Sequence, residues 1–167
     1  MAVRHRLVKA SPQRVWAVLS DGDRYTEWVV GTSASWQTRG RWPEVGAALS
    51  YVVRLGPARL TNETIVRRSE EPTVLELEAN AGALGTARIA FELRPWGRQC
   101  LVIVDEHPLG GVGGLMHNVA AEVVIQLRHR AMLARLAGIC EKEEQSTDED
   151  RSAVSAAGPG ARRAGDA

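Results

Sequence analysis

The chain is short of cysteine, of phenylalanine and tyrosine, and of net charge. Its two cysteines, Cys100 and Cys140, have no neighbour at metal-ligand spacing, so they read as buried free thiols and no metal is expected. A formal net charge of +1 with no Lys/Arg block argues against a nucleic-acid partner held through its phosphates. No stretch approaches the roughly 18 apolar residues that span a bilayer, and residues 1–6 carry no apolar signal region. A cytoplasmic protein without a membrane span is expected. Signatures of autonomous chemistry are missing too. No serine sits in a nucleophile elbow, the four histidines make no H-E-x-x-H spacing, and Gly110-Gly111-Val112-Gly113-Gly114 lacks both G-x-G-x-x-G and a G-K-[ST] ending. That glycine run reads as a flexible gate, and no cofactor is expected.

What is present is a globular composition, 44% hydrophobic and 25% charged over 167 residues, which suits one domain with a substantial core. Residues 3–9 read as a first strand. Ser11-Pro12 is an N-cap followed by proline at the first helical position, so a short helix is predicted from 12 to about 20, with Val15, Trp16, Val18 and Leu19 at helical spacing. Asp21-Gly22-Asp23 ends it and caps a further turn through Tyr25, Glu27 and Trp28. From Val29 to Gly114 there is no helical period, only strand-length runs broken by turn signals at 41–46, 56–57, 70–72, 80–83 and 95–98. This predicts an antiparallel meander of about six strands, joined by the first.

Short turns allow the register to be read. A tight turn at Pro57-Ala58 sets Leu55 opposite Leu60, Val53 opposite Asn62, Tyr51 opposite Thr64 and Leu49 opposite Val66, all on one face. Later hairpins carry that face through Leu75, Leu77 and Ala79, then through Ala87, Ile89, Phe91 and Leu93 opposite Glu106, Val104, Val102 and Cys100. The other face takes Arg54, Glu63, Arg67, Glu76, Glu78, Arg88, Glu92 and Asp105, with Arg88 across from Asp105 as a charge pair. One face is wet and the other is covered.

The cover is a predicted helix over 114–142, about 40 Å long. Leu115, Met116, Val119, Ala120, Val123, Val124, Leu127, Ala131 and Ala134 fall on its apolar arc, whereas His117, Asn118, Glu122, Arg128, His129 and Arg135 fall on the opposite, solvated side. The apolar direction then drifts toward Leu133, Leu136, Ala137 and Cys140, so the first half reads as lid and the second as anchor. The ordered domain is expected to span 1–143. Residues 144–167, acidic and then rich in Ser, Ala, Gly and Pro, bury too little to order themselves.

Four polar residues stand out on the covered face: Tyr51, Asn62, Thr64 and Glu106. Each must meet a protein group, a water or a ligand. Tyr51 and Thr64 can satisfy each other, and Arg130, at the edge of the helical arc, is the candidate partner of Glu106. Trp28 closes the helical pair where it can wall the interior. Trp42 falls in a proline-containing loop and Trp96 in a turn, where packing rather than ligand stacking is expected.

Two segments carry a family likeness. The run from Ser11 through Leu19, followed by Asp23-Arg24-Tyr25-Thr26-Glu27-Trp28, resembles the opening of the polyketide cyclase and lipid-transport proteins related to START domains and the birch-pollen allergen. Glu106-His107-Pro108, the Gly-rich loop and Arg128-His129 with Leu133 and Leu136 resemble its closing stretch, although many relatives have Arg followed by Asn at that pair. The resemblance covers about residues 3–143. It implies an α+β helix-grip fold, a curved antiparallel sheet of about seven strands wrapped around the long C-terminal helix, with an apolar cavity between them. The expected lining is Trp28, Leu49, Tyr51, Val53, Asn62, Thr64, Leu75, Leu77, Ile89, Phe91, Val102 and Glu106, with Met116, Val119, Ala120, Val123 and Leu127 from the helix. The function expected of that cavity is binding of an apolar or aromatic small molecule, polyketide-like or lipid-like, by a monomer or dimer. A polyketide cyclase or aromatase in which Tyr51, Glu106 or Arg130 moves protons is the alternative. An interaction or regulatory module is a further one.

Overall fold

The computed structural model describes residues 2–55, 58–80, 85–110 and 119–156, with side chains over 3–54, 59–80, 85–109 and 128–155. Strands β1 (Ala2–Val8), β2 (Thr32–Arg39), β3 (Ala48–Leu55), β4 (Ala58–Glu70), β5 (Val74–Asn80), β6 (Thr86–Trp96) and β7 (Gln99–Gly110) form one antiparallel sheet in the order β1-β7-β6-β5-β4-β3-β2. Between β1 and β2 lie α1 (Pro12–Leu19), a short 3-10 turn (Gly22–Arg24) and α2 (Tyr25–Trp28), and after β7 comes the long helix α3 (Val119–Ala156). This is the helix-grip arrangement, with β2 to β7 as the expected six-stranded meander.

Local chemistry sets the ends of these elements. Ser11 Oγ accepts the Arg14 N–H at 3.3 Å and Pro12 takes the first helical position, so α1 starts on a satisfied cap. At its far end Trp42 reaches in from the β2–β3 loop, buried, and donates Nε1–H to the Leu19 carbonyl at 3.1 Å. The β6–β7 turn is two residues long, since Trp96 pairs with Gln99. Gly97 supplies the positive φ of +62° that such a turn requires.

Two hairpins depart from the predicted register by two residues. Tyr51 faces Asn62 and Leu49 faces Thr64, because pairing continues down to Leu55 and Ala58 at the turn. Likewise Ile89 faces Glu106 and Phe91 faces Val104. A slip of two preserves the side-chain alternation, so every residue stays on its predicted face. It does dissolve the Arg88–Asp105 pair. Arg88 lies across from His107 and bonds Glu76 at 2.9 Å, while Asp105 accepts His107 Nδ1 at 3.2 Å.

The core lies between the inner sheet face, the short helices and α3. Leu49, Val66, Leu75, Leu77, Phe91 and Val102 from the sheet, Val15, Val18, Leu19 and Trp28 from the short helices, and Met132, Leu133, Leu136, Ala137 and Cys140 from α3 belong to one buried cluster. Each fully buried aliphatic side chain of this kind contributes about 1.5–3 kcal/mol. The drift toward Leu133, Leu136, Ala137 and Cys140 is as predicted. Ala131 and Ala134 are exposed instead of buried, and His129 is buried instead of solvated.

The far end of α3 also differs from expectation. The helix continues to Ala156 rather than giving way to a tail at residue 144. Its acidic residues dock on the basic side chains of the short helices. Arg24 Nη2 meets Glu143 Oε1 at 2.6 Å, Arg14 Nε meets Glu144 Oε2 at 3.3 Å, and Arg14 Nη2 donates to Thr147 Oγ1 at 2.9 Å. A composition that reads as unpacked tail is therefore partly neutralised by contact. The expected tail beyond residue 156 lies outside the described residues. No helix among them is long and apolar enough to cross a membrane.

Candidate functional site

The inner face carries few polar side chains, and the fold gathers them from opposite sides of the interior. Tyr51 comes from β3, Asn62 and Thr64 from β4, Glu106 from β7, and Arg128 and His129 from α3. His129 Nε2 lies 2.5 Å from Glu106 Oε2, with the two side chains only 2% and 12% exposed. The carboxylate thus occupies one ring nitrogen and orients the imidazole, as second partners of functional histidines do. The other nitrogen, Nδ1, is buried with no hydrogen-bond partner. Arg130, the expected partner of Glu106, is exposed, because the neighbouring turn position of α3 points outward.

Tyrosines surround this pair. Burial pushes the Tyr51 phenol up from its ordinary pKa; Arg128 and Asn62 oppose the shift and Glu106 reinforces it. Burial pushes Tyr25 up further, with Tyr51 adding to the shift and Arg128 and Thr64 opposing it. Both phenols therefore stay protonated across the physiological range. The predicted Tyr51–Thr64 contact is not made, since the two-residue register difference gives Tyr51 to Asn62. Thr64 Oγ1 is buried with no hydrogen-bond partner; Tyr25 is near enough to feel it but falls outside hydrogen-bonding geometry.

Aromatic rings form a continuous wall beside these groups. Tyr25 packs on Trp28 at 5.1 Å and on Tyr51 at 5.3 Å between ring centroids, and Trp28 meets Phe91 edge-on at 5.6 Å. Such tilted and edge-on pairs contribute roughly 0.5–1.5 kcal/mol beyond their buried area. Trp28 Nε1 is likewise buried without a partner among the described residues, as are Thr32 Oγ1 and Asp105 Oδ1. Tyr25, the hub of the wall, and His129 were not among the expected site residues.

Of the expected lining, Trp28, Leu49, Tyr51, Thr64, Leu75, Leu77, Phe91 and Val102 are buried, while Val53, Asn62, Ile89 and Glu106 are partly buried. All those from the sheet lie on its inner face by register. Met116 and residues 111–114 of the glycine run lie outside the described residues. Val119, Ala120, Val123 and Leu127 belong to α3, but their side chains also lie outside them. Among the described residues no group of three or more His, Cys, Asp or Glu side chains is placed to hold a metal ion. Burial pushes the Cys100 and Cys140 thiols up to about 11 and about 12, so neither is a ready nucleophile.

With fold and interior in place, the comparisons define the class. Residues 2–141 match the family described as polyketide cyclase / dehydrase and lipid transport. The chain belongs to that family. Its fold is similar to a protein from Chromobacterium violaceum at 14% identity, covering 84% of this chain and 96% of that one with a TM-score of 0.66. It is also similar to Ara h 8.0201 at 12% identity, covering 83% and 95% with a TM-score of 0.66. A third likeness is to the di-domain ARO/CYC StfQ from the steffimycin biosynthetic pathway, at 11% identity and TM-score 0.68, covering 89% of this chain and 47% of that one. No curated protein matches the sequence closely enough to count as a relative.

Proposed function

We propose that this protein binds an apolar or aromatic small molecule, polyketide-like or lipid-like, between the sheet and α3. The observation that carries the reading is the state of the inner face. Aromatic and aliphatic side chains surround Trp28 Nε1, Thr64 Oγ1 and His129 Nδ1, buried polar atoms that have no hydrogen-bond partner among the described residues. Leaving such an atom bare costs about 1–3 kcal/mol, and a bound molecule with matching groups removes that cost. Family membership supports the same reading.

Titration with the uncharged fluorescent probe N-phenyl-naphthylamine tests this. Saturable binding at micromolar Kd with one probe per chain is expected, accompanied by quenching of Trp28. Ile89→Trp, which fills space on the inner face, should abolish it while the variant stays folded. Unsaturable, nonspecific fluorescence would count against the reading.

A cyclase or aromatase is the second reading, favoured by one observation: the short Glu106–His129 contact beside Tyr51 and Arg128 is an arrangement able to move protons. In that case Glu106→Gln cuts turnover of a poly-carbonyl substrate by about 10²-fold or more, and the probe still binds. No difference in turnover between wild type and variant removes Glu106 from the chemistry.

A further inference from the structure

The state of His129 narrows the ligand, in an inference that rests on the binding reading above. The residue sits one turn before Leu133 on the buried stripe of α3, and its ring is 2% exposed. Glu106 from β7 takes up Nε2 at 2.5 Å. Nδ1 is thus the one ring position left for a hydrogen bond, and it is enclosed and unpartnered. An apolar residue would fill the same place without leaving a bare polar atom. A histidine fixed on one side by a carboxylate, with its other nitrogen unpaired, is the form that binds or orients a further group. On β4, Thr64 has a fully buried hydroxyl that Tyr25 approaches without completing a hydrogen bond.

We propose that His129 is a specificity-determining residue: Glu106 holds the ring so that Nδ1 bonds an oxygen of the bound molecule, with Thr64 Oγ1 as a second contact. The ligand class is then an apolar body bearing at least one hydroxyl or carbonyl oxygen, and an unsubstituted hydrocarbon of the same shape is discriminated against. With a neutral ring, Nε2–H donates to Glu106 and Nδ1 accepts from a ligand hydroxyl. With a charged ring, Nδ1–H donates to the ligand oxygen. Either way the discrimination arises because a site built for a polar group leaves its own buried atoms unpaired when that group is missing.

The test titrates the full chain with naphthol and methylnaphthalene, which match in shape and differ in the oxygen. Naphthol should bind at least about tenfold tighter. Thr64→Val should shrink that ratio, and His129→Leu should bring it close to one. Because His129→Leu leaves Glu106 alone in the interior and can fail to fold, nitrogen NMR of the wild-type imidazole supplies the second measurement. The Nδ1 resonance of His129 should move when naphthol binds and stay in place when methylnaphthalene binds. Equal affinity for the two molecules overturns this inference and leaves the binding reading intact. Failure of both to bind overturns the two together. A preference that survives His129→Leu, or an Nδ1 resonance indifferent to naphthol, removes His129 from ligand recognition.

Discussion

Thr64 is the residue whose proposed role in binding can be weighed against stability. Its hydroxyl is fully buried and unpartnered, so Thr64→Val should stabilise the ligand-free protein by about 1–3 kcal/mol. Thermal melting should register a rise of roughly 2–4 °C per kcal/mol for a chain of this size. An unchanged or lower Tm means that the hydroxyl has a partner. The two thiols make a separate prediction. With pKa values pushed up to about 11 and about 12 and both side chains buried, Cys100 and Cys140 should stay unlabelled by a thiol reagent at pH 8 until the protein unfolds. Rapid labelling of the native chain contradicts that burial. At this scale Glu106 was legible, because strand alternation places it on the covered face. His129 was not, although the signal was present. Residues 129, 133, 136, 137 and 140 make one helical stripe, but the apolar arc of the first half of the helix runs in a different direction.

Elements were more legible than their registers. Turn residues located every hairpin, and alternation assigned the faces, yet β3–β4 and β6–β7 each pair two residues away from the predicted match. Turn chemistry tells where a chain reverses more surely than how far pairing runs into the turn, and an even slip leaves no trace in the hydrophobic pattern. The end of α3 was hidden for another reason. Apolar periodicity stops near Cys140, and the residues that continue the docking are charged. Glu143, Glu144 and Thr147 gain their partners Arg14 and Arg24 from the opposite end of the chain. Partly exposed pairs contribute about 0.2–1 kcal/mol each. Ending the chain after Lys142 should therefore lower Tm by roughly 3–8 °C, and the loss should shrink in high salt. Ending it after Asp150 should leave Tm within about 2 °C, because the contacts to Arg14 and Arg24 remain. Equal melting of the two truncated chains would contradict the docking.

At the scale of the molecule, the order of elements together with the family resemblance foretold the fold. A strand, two short helices, a six-stranded meander and a long helix leave the inner sheet face to be covered by α3, and residues 2–141 belong to the polyketide cyclase / dehydrase and lipid transport family. The identity of the proposed ligand was not legible, since aliphatic and aromatic linings suit many molecules and only the few polar atoms discriminate among them. The central claim is that one small molecule fits inside one chain. Native mass spectrometry of the full chain with N-phenyl-naphthylamine tests it most directly. A single adduct of the probe's mass, retained by the folded wild type and lost in Ile89→Trp, is the predicted result; a chain that keeps its bare mass at every probe concentration, or takes up many probes without a limit, would contradict it.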